Sequence, residues 1–306
     1  MESYALGAAC SRVWERRVKV MKPFYNLFII IFIILLSMLF LVTGSSPART
    51  GSGPVKRIVS LSSSLTDQVN DLGAADLLVG VTMFNPGYRG NAAVVGSYVQ
   101  PDMERIISLR PDIVLVSDED SIQTSALADR FGLRYYRSGR VFNFDDICAG
   151  YLQLADLIGK DKYGKRMVES YRERLEVIKK PGHAPRIVFL VSAKPLITVS
   201  GNSYINSIIE SAGGRNIFKN ENTAYPILSM ESLLMSSPDA VITMSIADRD
   251  FMRDMLKGYR HVRFSRNNNI FAAGDTSIPY YSPGRYVEAV EKISSLFAEI
   301  NCEEMD

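Results

Sequence analysis

One unit occurs twice in this chain: a short amphipathic stretch, then a Pro-Asp pair, then a β-branched run. Met103-Glu104-Arg105-Ile106-Ile107 followed by Pro111-Asp112-Ile113-Val114-Leu115 is matched by Met230-Glu231-Ser232-Leu233-Leu234 followed by Pro238-Asp239-Ala240-Val241-Ile242. The two glutamates, and the two prolines, are 127 residues apart, and the runs Arg57–Leu61 and Arg186–Leu190 are 129 apart. Self-similarity at a fixed offset marks a repeated architecture, here in two copies. Within each copy short β-branched runs alternate with amphipathic stretches, which is the grammar of an α/β fold. The first copy reads as a strand over Arg57–Leu61, a helix over Ser62–Leu72 opened by Ser or Thr caps, and a strand over Ile113–Val116. A helix over Ser121–Phe131 and a strand over Leu133–Tyr136 complete it.

Between the copies, Met167, Tyr171, Leu175 and Ile178 recur at helical spacing, with charged residues on the other faces. This predicts one helix over Asp161–Lys180, about 30 Å long, stopped by Pro181-Gly182. The expected organisation is an N-terminal lobe over 55–159, a bridging helix over 160–181 and a C-terminal lobe over 184–304. A single connecting helix makes a stiff hinge, and the cleft between the lobes is the default place for a ligand.

Residues 1–50 read as a signal peptide or a membrane anchor. Arg12, Arg16, Arg17, Lys19 and Lys22 precede a run from Leu27 to Val42 that is apolar except for Ser37. Ser46 and Ala48 are small residues suited to a cleavage site. The preceding positive charge directs the downstream chain to the far side of the membrane, which places the lobes in the periplasm under either reading. Met21-Lys22 also offers an alternative start that leaves an ordinary signal sequence. With 35 basic against 33 acidic residues, and no basic block interleaved with aromatics after residue 50, nucleic acid is not an expected partner. Past residue 50 the cysteines are Cys148 and Cys302, too few for a disulfide framework; they read as unpaired thiols, with a single pairing in an oxidising periplasm as the alternative.

The chain from about Lys56 to Phe297 resembles the helix-bridged periplasmic binding proteins of cobalamin, ferric-siderophore and haem importers, most closely the cobalamin-binding branch. The resemblance is carried by Arg57–Ser62, Leu77–Val81, Met103–Ile107 with Leu109-Arg110-Pro111-Asp112, and Gly213-Gly214-Arg215-Asn216-Ile217-Phe218. Ser229-Met230-Glu231, Ser237-Pro238-Asp239 and Ser282-Pro283-Gly284-Arg285 complete it. It implies two similar Rossmann-like lobes joined by a single long helix, with the ligand in the cleft between them. It implies a monomeric solute-binding protein that needs no cofactor. Such a protein captures a metal chelate (cobalamin, haem or a ferric siderophore) and delivers it to an ABC-type permease dimer in the inner membrane. Carried over residue by residue, the cleft aromatics fall on Tyr98 and Tyr225, each six places before a glutamate of the repeated unit. In the cobalamin-binding branch these look like tryptophan positions, and in haem binders a tyrosine near the first ligates iron. Tyr280 and Tyr281 are the third candidate contact, and Tyr88 and Phe84 are further ones. Aromatic faces clamp a large flat chelate by stacking, although each ring can instead fill a local surface gap. The resemblance assigns Glu104 and Glu231, one per lobe, to docking on the permease. A first-turn carboxylate also suits the helix dipole without any partner.

Two other classes predict different things. A hydrolase needs an oriented base or an elbow nucleophile. His183 lies in the turn between Pro181 and Pro185, His261 lies among arginines, and Gly201-Asn202-Ser203 is not such an elbow. The acidic trio Asp118-Glu119-Asp120 reads as a solvated loop. A scaffold on the same fold predicts no small ligand at all.

Overall fold

The computed structural model describes residues 54–85, 88, 90–117, 129, 131–274, 278 and 281–301. The 1–50 segment, most of the helix expected over Ser121–Phe131, the trio Asp118–Asp120, Tyr280 and Cys302 lie outside the described residues.

In the first half, β1 (Ile58–Ser60), β2 (Leu78–Val81), β3 (Ala93–Val94), β4 (Ile113–Val116) and β5 (Tyr135–Arg137) form a parallel sheet ordered β3-β2-β1-β4-β5. β1 and β4 are buried along their whole length. That explains why they read as unbroken runs and not as alternation. α1 (Ser63–Asp71) leads from β1 towards β2, α2 (Met103–Ser108) precedes β4, and α3 (Phe144–Leu157) follows β5. The strand order reverses between β1 and β4, the switch point outside which ligands of open α/β sheets bind.

α4 (Asp161–Glu176) then crosses to the second half. It ends four residues before Lys180. The residue before Pro181 is disfavoured in the α region, and the Lys179 carbonyl accepts a 2.8 Å hydrogen bond from Ser294 Oγ instead of continuing the helix.

The second half repeats the first with an insertion. β6 (Arg186–Ala193), α5 (Tyr204–Ser211), β8 (Arg215–Asn216), α6 (Met230–Ser236), β9 (Ala240–Thr243) and β10 (Ile270–Ala272) correspond to β1, α1, β2, α2, β4 and β5. β7 (Leu196–Thr198) is the addition: β6 runs past the sheet centre and doubles back at Lys194-Pro195 into an antiparallel partner. α7 (Ile246–Leu256), the short α8 (Arg263–Arg266) and the C-terminal α9 (Pro283–Ala298) complete the chain.

The repeated units share more than a pattern. Asp102 Oδ1 caps α2 by accepting from Arg105 N, and Ser229 Oγ caps α6 by accepting from Ser232 N, each at 3.0 Å. The residues before the two prolines, Arg110 and Ser237, both have positive φ, 47° and 42°. Each Pro-Asp aspartate then clasps the start of the central strand. Asp112 Oδ2 accepts from Lys56 N and Arg57 N at 2.8 and 2.9 Å, and Asp239 Oδ2 accepts from Arg186 N at 2.7 Å. The side chain of Arg57 donates to the Leu109 carbonyl, and that of Arg186 to the carbonyls of Ser236 and Ser237. The Pro-Asp pairs therefore do more than turn the chain from helix to strand.

Covalently the halves meet only through α4, but α9 forms a second link. It packs on α3, α4 and α5, and one core cluster runs from Ile58, Leu65 and Tyr151 through Tyr171 to Phe189, Ile205 and Val290. α1 faces this junction with a polar stripe at helical spacing: Ser64, Asp67, Gln68 and Asp71. Ser64 Oγ accepts from Tyr281 N at 3.2 Å, and Gln68 Nε2 donates to the Tyr281 carbonyl at 2.5 Å. Asp67 accepts from Ser282 Oγ at 2.7 Å and pairs with Arg285 at 3.3 Å. Asp71 accepts from Tyr151 and Tyr171 at 2.6 and 2.7 Å. The Ser-Pro-Gly-Arg stretch reads out as this junction. Pro283 occupies the first turn of α9, and a Cβ on Gly284 would lie 2.9 Å from Tyr171 Oη.

Candidate functional site

Clustered apolar side chains left in solvent can mark where a ligand or partner is met. Among the described residues several exposed ones follow the carboxyl ends of strands in both halves, while others, such as Val177 and Met235, lie on helices or their ends. Met83 and Phe84 follow β2, Tyr98 and Val99 follow β3, and Phe142 follows β5. In the second half Tyr225 and Ile227 lie on a segment that pairs with β7 and runs towards the carboxyl end of β6, and Ile246 follows β9. The expected contacts Phe84, Tyr98 and Tyr225 are 70%, 54% and 44% exposed, so none is held in the core. Two local features present these loops. Ser63 Oγ donates to the Phe84 carbonyl at 2.5 Å, and Gly96, at φ 87°, lets the turn before Asp102 close behind Tyr98.

Tyr88 and Tyr281 sit differently. Tyr88 is half-buried, packs against the core and accepts from Ala92 N through its own Oη at 3.1 Å, which closes its loop. Tyr281 is also half-buried. Its ring meets Tyr204 edge-on, 4.5 Å between centroids, while α1 holds its backbone on both sides. Tyr280 lies outside the described residues.

Glu104 and Glu231 are both exposed in the first turn of α2 and α6, on helices that begin just past Tyr98 and Tyr225. Both are thus at the carboxyl-end side of their sheet.

A cavity of about 200 Å³ opens at the carboxyl ends of β1 and β4, lined by Ser62, Ser64, Gln68, Ser117, Gly150 and Tyr281 among others. Sequence reasoning assigned no role to Ser64 or Gln68. The available signal was the serine run Ser62-Ser63-Ser64 directly after the first strand. Among the described residues no three His, Cys, Asp or Glu side chains converge to hold a metal. Around the junction burial dominates the titration. It pushes Asp71 above the usual carboxylate value, which hydrogen bonds from Tyr151 and Tyr171 only partly offset. It pushes Tyr136 up to about 12 and the Cys148 thiol up to about 12.

The family description that matches this chain is periplasmic binding protein, over residues 58–276. The chain belongs to the periplasmic binding protein family. The vitamin B12-binding protein of Vibrio parahaemolyticus is 28% identical over 204 residues, 64% of this chain and 74% of that protein. The cobalamin-binding protein of Halobacterium salinarum is 26% identical over 272 residues, 83% of this chain and 72% of that protein. In fold it is similar to the periplasmic vitamin B12 binding protein BtuF of Vibrio cholerae, with a TM-score of 0.69 and 22% identity over 82% of this chain and 99% of that one. It is equally similar to the periplasmic heme binding protein HutB of Vibrio cholerae, with a TM-score of 0.70 and 20% identity over 79% of this chain and 98% of that one. These relatives are binding proteins and not enzymes. The family is the extracytoplasmic, solute-binding component of ABC importers, which implies a permease partner. Among the described residues no helix is long and apolar enough to cross a membrane.

Proposed function

We propose that this protein captures a large, flat metal chelate of the corrinoid or haem type between its two halves and hands it to the permease. The observation that carries this is the pair of solvent-exposed tyrosines, Tyr98 and Tyr225, at the same place in the two repeated units, each in a loop at the carboxyl-end side of its sheet. Exposed aromatic faces set around such a cleft suit stacking on a flat macrocycle. Phe84, Met83 and Ile227 add apolar area, and Tyr281 forms part of the wall, with Tyr280 beside it in sequence. Tyr88, whose phenol is engaged by its own loop, contributes shape. The names of the sequence relatives favour a corrinoid.

Delivery falls to Glu104 and Glu231. One exposed carboxylate per half gives a monomeric binding protein a two-point grip that fixes its orientation over a permease dimer. Residues 1–50 direct export to the periplasm, either as a cleaved signal or as a retained anchor.

Absorbance titration of the purified full-length chain with cyanocobalamin, haemin and ferric siderophores tests the reading, because each has its own chromophore. A saturable spectral change with one of them at one site per chain is expected. A chain that gives no saturable change with any of them is a scaffold on this fold, and the reading fails.

A further inference from the structure

β10 is an edge strand of the second sheet, and an open edge invites pairing with another chain. The Asn269 carbonyl and the Ala273 N–H bond to β9, so the alternation of a parallel ladder turns the main-chain groups of Ile270 and Ala272 to the open side. Arg253 reaches round from α7 and donates from Nη2 to the Ile270 carbonyl at 2.8 Å. Along this edge, between α7 and α9, lies a cavity of about 420 Å³. It shares no lining residue with the cavity at β1 and β4.

The charge of this cavity is one-sided. Arg249, Arg253 and Lys292 line it against a single carboxylate, Glu299. Arg249 is paired at 2.8 Å with Asp250, which is not part of the lining, whereas the Arg253 guanidinium meets a neutral carbonyl. The chain also leads into the cavity. Asn301, the last of the described residues, belongs to its lining. Its N–H donates to Asn269 Oδ1 at 3.1 Å, and its carbonyl accepts from Asn267 Nδ2 and Asn269 Nδ2 at 3.0 and 3.1 Å. Asn269 is buried and donates as well to the Asp239 carbonyl at 3.0 Å, which ties the exit to the start of β9. The next residues are Cys302-Glu303-Glu304-Met305-Asp306, three carboxylates in five residues. Five residues extend up to about 17 Å.

We propose that the segment from Cys302 onward folds back into this cavity, sets its carboxylates against Arg249, Arg253 and Lys292, and covers the open edge of β10. The tether decides between occupants. A segment that starts at the cavity wall has an effective concentration in the millimolar range, above that of a second copy of the chain. Its charge matches the excess of the lining, and ion pairs in a partly enclosed site are screened less than those on open surface. The covered edge then has no free side on which to pair with another chain.

Lys292 makes the placement testable. It lies six residues before Ala298, the end of α9, so the segment must double back by about 9 Å to meet it. A segment that ran on away from α9 would not reach it. In the full-length chain, carbodiimide coupling followed by mass spectrometry should join Lys292 to Glu303 or Glu304. Mixing unlabelled and 15N-labelled protein should show that the link lies within one chain. The yield should fall severalfold in 1 M salt, where the Debye length is about 3 Å. Neutralising the segment by Glu303→Gln, Glu304→Gln and Asp306→Asn touches no described residue, and it should speed hydrogen exchange at the Ala272 N–H severalfold. Added inorganic phosphate should slow that exchange in the neutralised variant and not in wild type. Absence of the link, or unchanged exchange at Ala272 in the variant, would overturn the proposal. Links only between chains would give the cavity to a second copy instead, and exchange slowed by phosphate equally in both proteins would give it to a free anion.

Discussion

Tyr98 and Tyr225 keep about half of their surface in solvent, so neither carries much of the core packing. Their truncation should therefore leave the fold nearly unaffected. Each stacked aromatic contributes about 0.5–1.5 kcal/mol beyond burial, so Tyr98→Ala with Tyr225→Ala should weaken chelate binding severalfold or more. Denaturant midpoints measured alongside should barely move. The buried tyrosines behave oppositely. Burial, then the bond to Asp71, pushes the phenols of Tyr151 and Tyr171 up from their ordinary value. Their contribution to stability is fully present below about pH 10, where the unfolded chain also keeps its phenols protonated. Above that the unfolded chain releases protons that the folded chain holds, so stability falls as pH rises. Urea unfolding between about pH 8 and 11 should show this alkaline loss, and Tyr151→Phe with Tyr171→Phe should flatten it. The two exposed tyrosines were legible in the sequence because the duplication placed them in register. Tyr88 could not be separated from them, because that phenol's partner, Ala92 N, depends on how one loop closes. Nor could Gln68 be picked out, since its role depends on Tyr281, 213 residues away.

At the level of elements, the repeated helix-Pro-Asp-strand unit was readable because its hydrogen bonds are local to the unit and to the first strand of the same half. Asp112 and Asp239 each satisfy the first backbone donors of a central strand. Asp112→Ala and Asp239→Ala should each cost about 0.5–1.5 kcal/mol in chemical denaturation, the net contribution of hydrogen bonds at an exposed site where water can take over the donors. A clasp that only turned the chain would cost far less. Ser237 carries a left-handed backbone before Pro238. That conformation costs a residue with a side chain about 1–2 kcal/mol, against about 0.5–1 for the extra freedom of glycine, so Ser237→Gly should leave stability equal or slightly higher. What the pattern did not reveal is β7. Leu196–Thr198 is short and apolar, as any buried strand is, and its antiparallel return is set by a two-residue turn that breaks the resemblance between the halves.

For the whole molecule, the reading of a single bridging helix captured the covalent path and missed the second joint. The polar stripe of α1, the Ser-Pro-Gly-Arg turn and α9 bind the halves across more than 200 residues of sequence, a distance at which no local signal survives. Two joints resist wide hinge motion, since bending α4 breaks backbone hydrogen bonds and shearing α9 exposes core. Ligand should then change the radius of gyration in small-angle scattering only slightly, and Arg285→Ala should enlarge that change by removing the ion pair to Asp67, which leaves only the Ser282 bond on that carboxylate. Transport should separate from capture. Glu104→Ala with Glu231→Ala should keep chelate affinity while lowering uptake in cells, more so with Arg at both positions and less so at high salt. The most direct test of capture between the halves is calorimetric titration of cyanocobalamin into the full-length chain and into its Tyr98→Ala/Tyr225→Ala variant. Binding between the halves predicts one site per chain in both proteins and an affinity severalfold or more lower in the variant. Equal affinity in the two proteins, or two independent sites in the wild type, would contradict it.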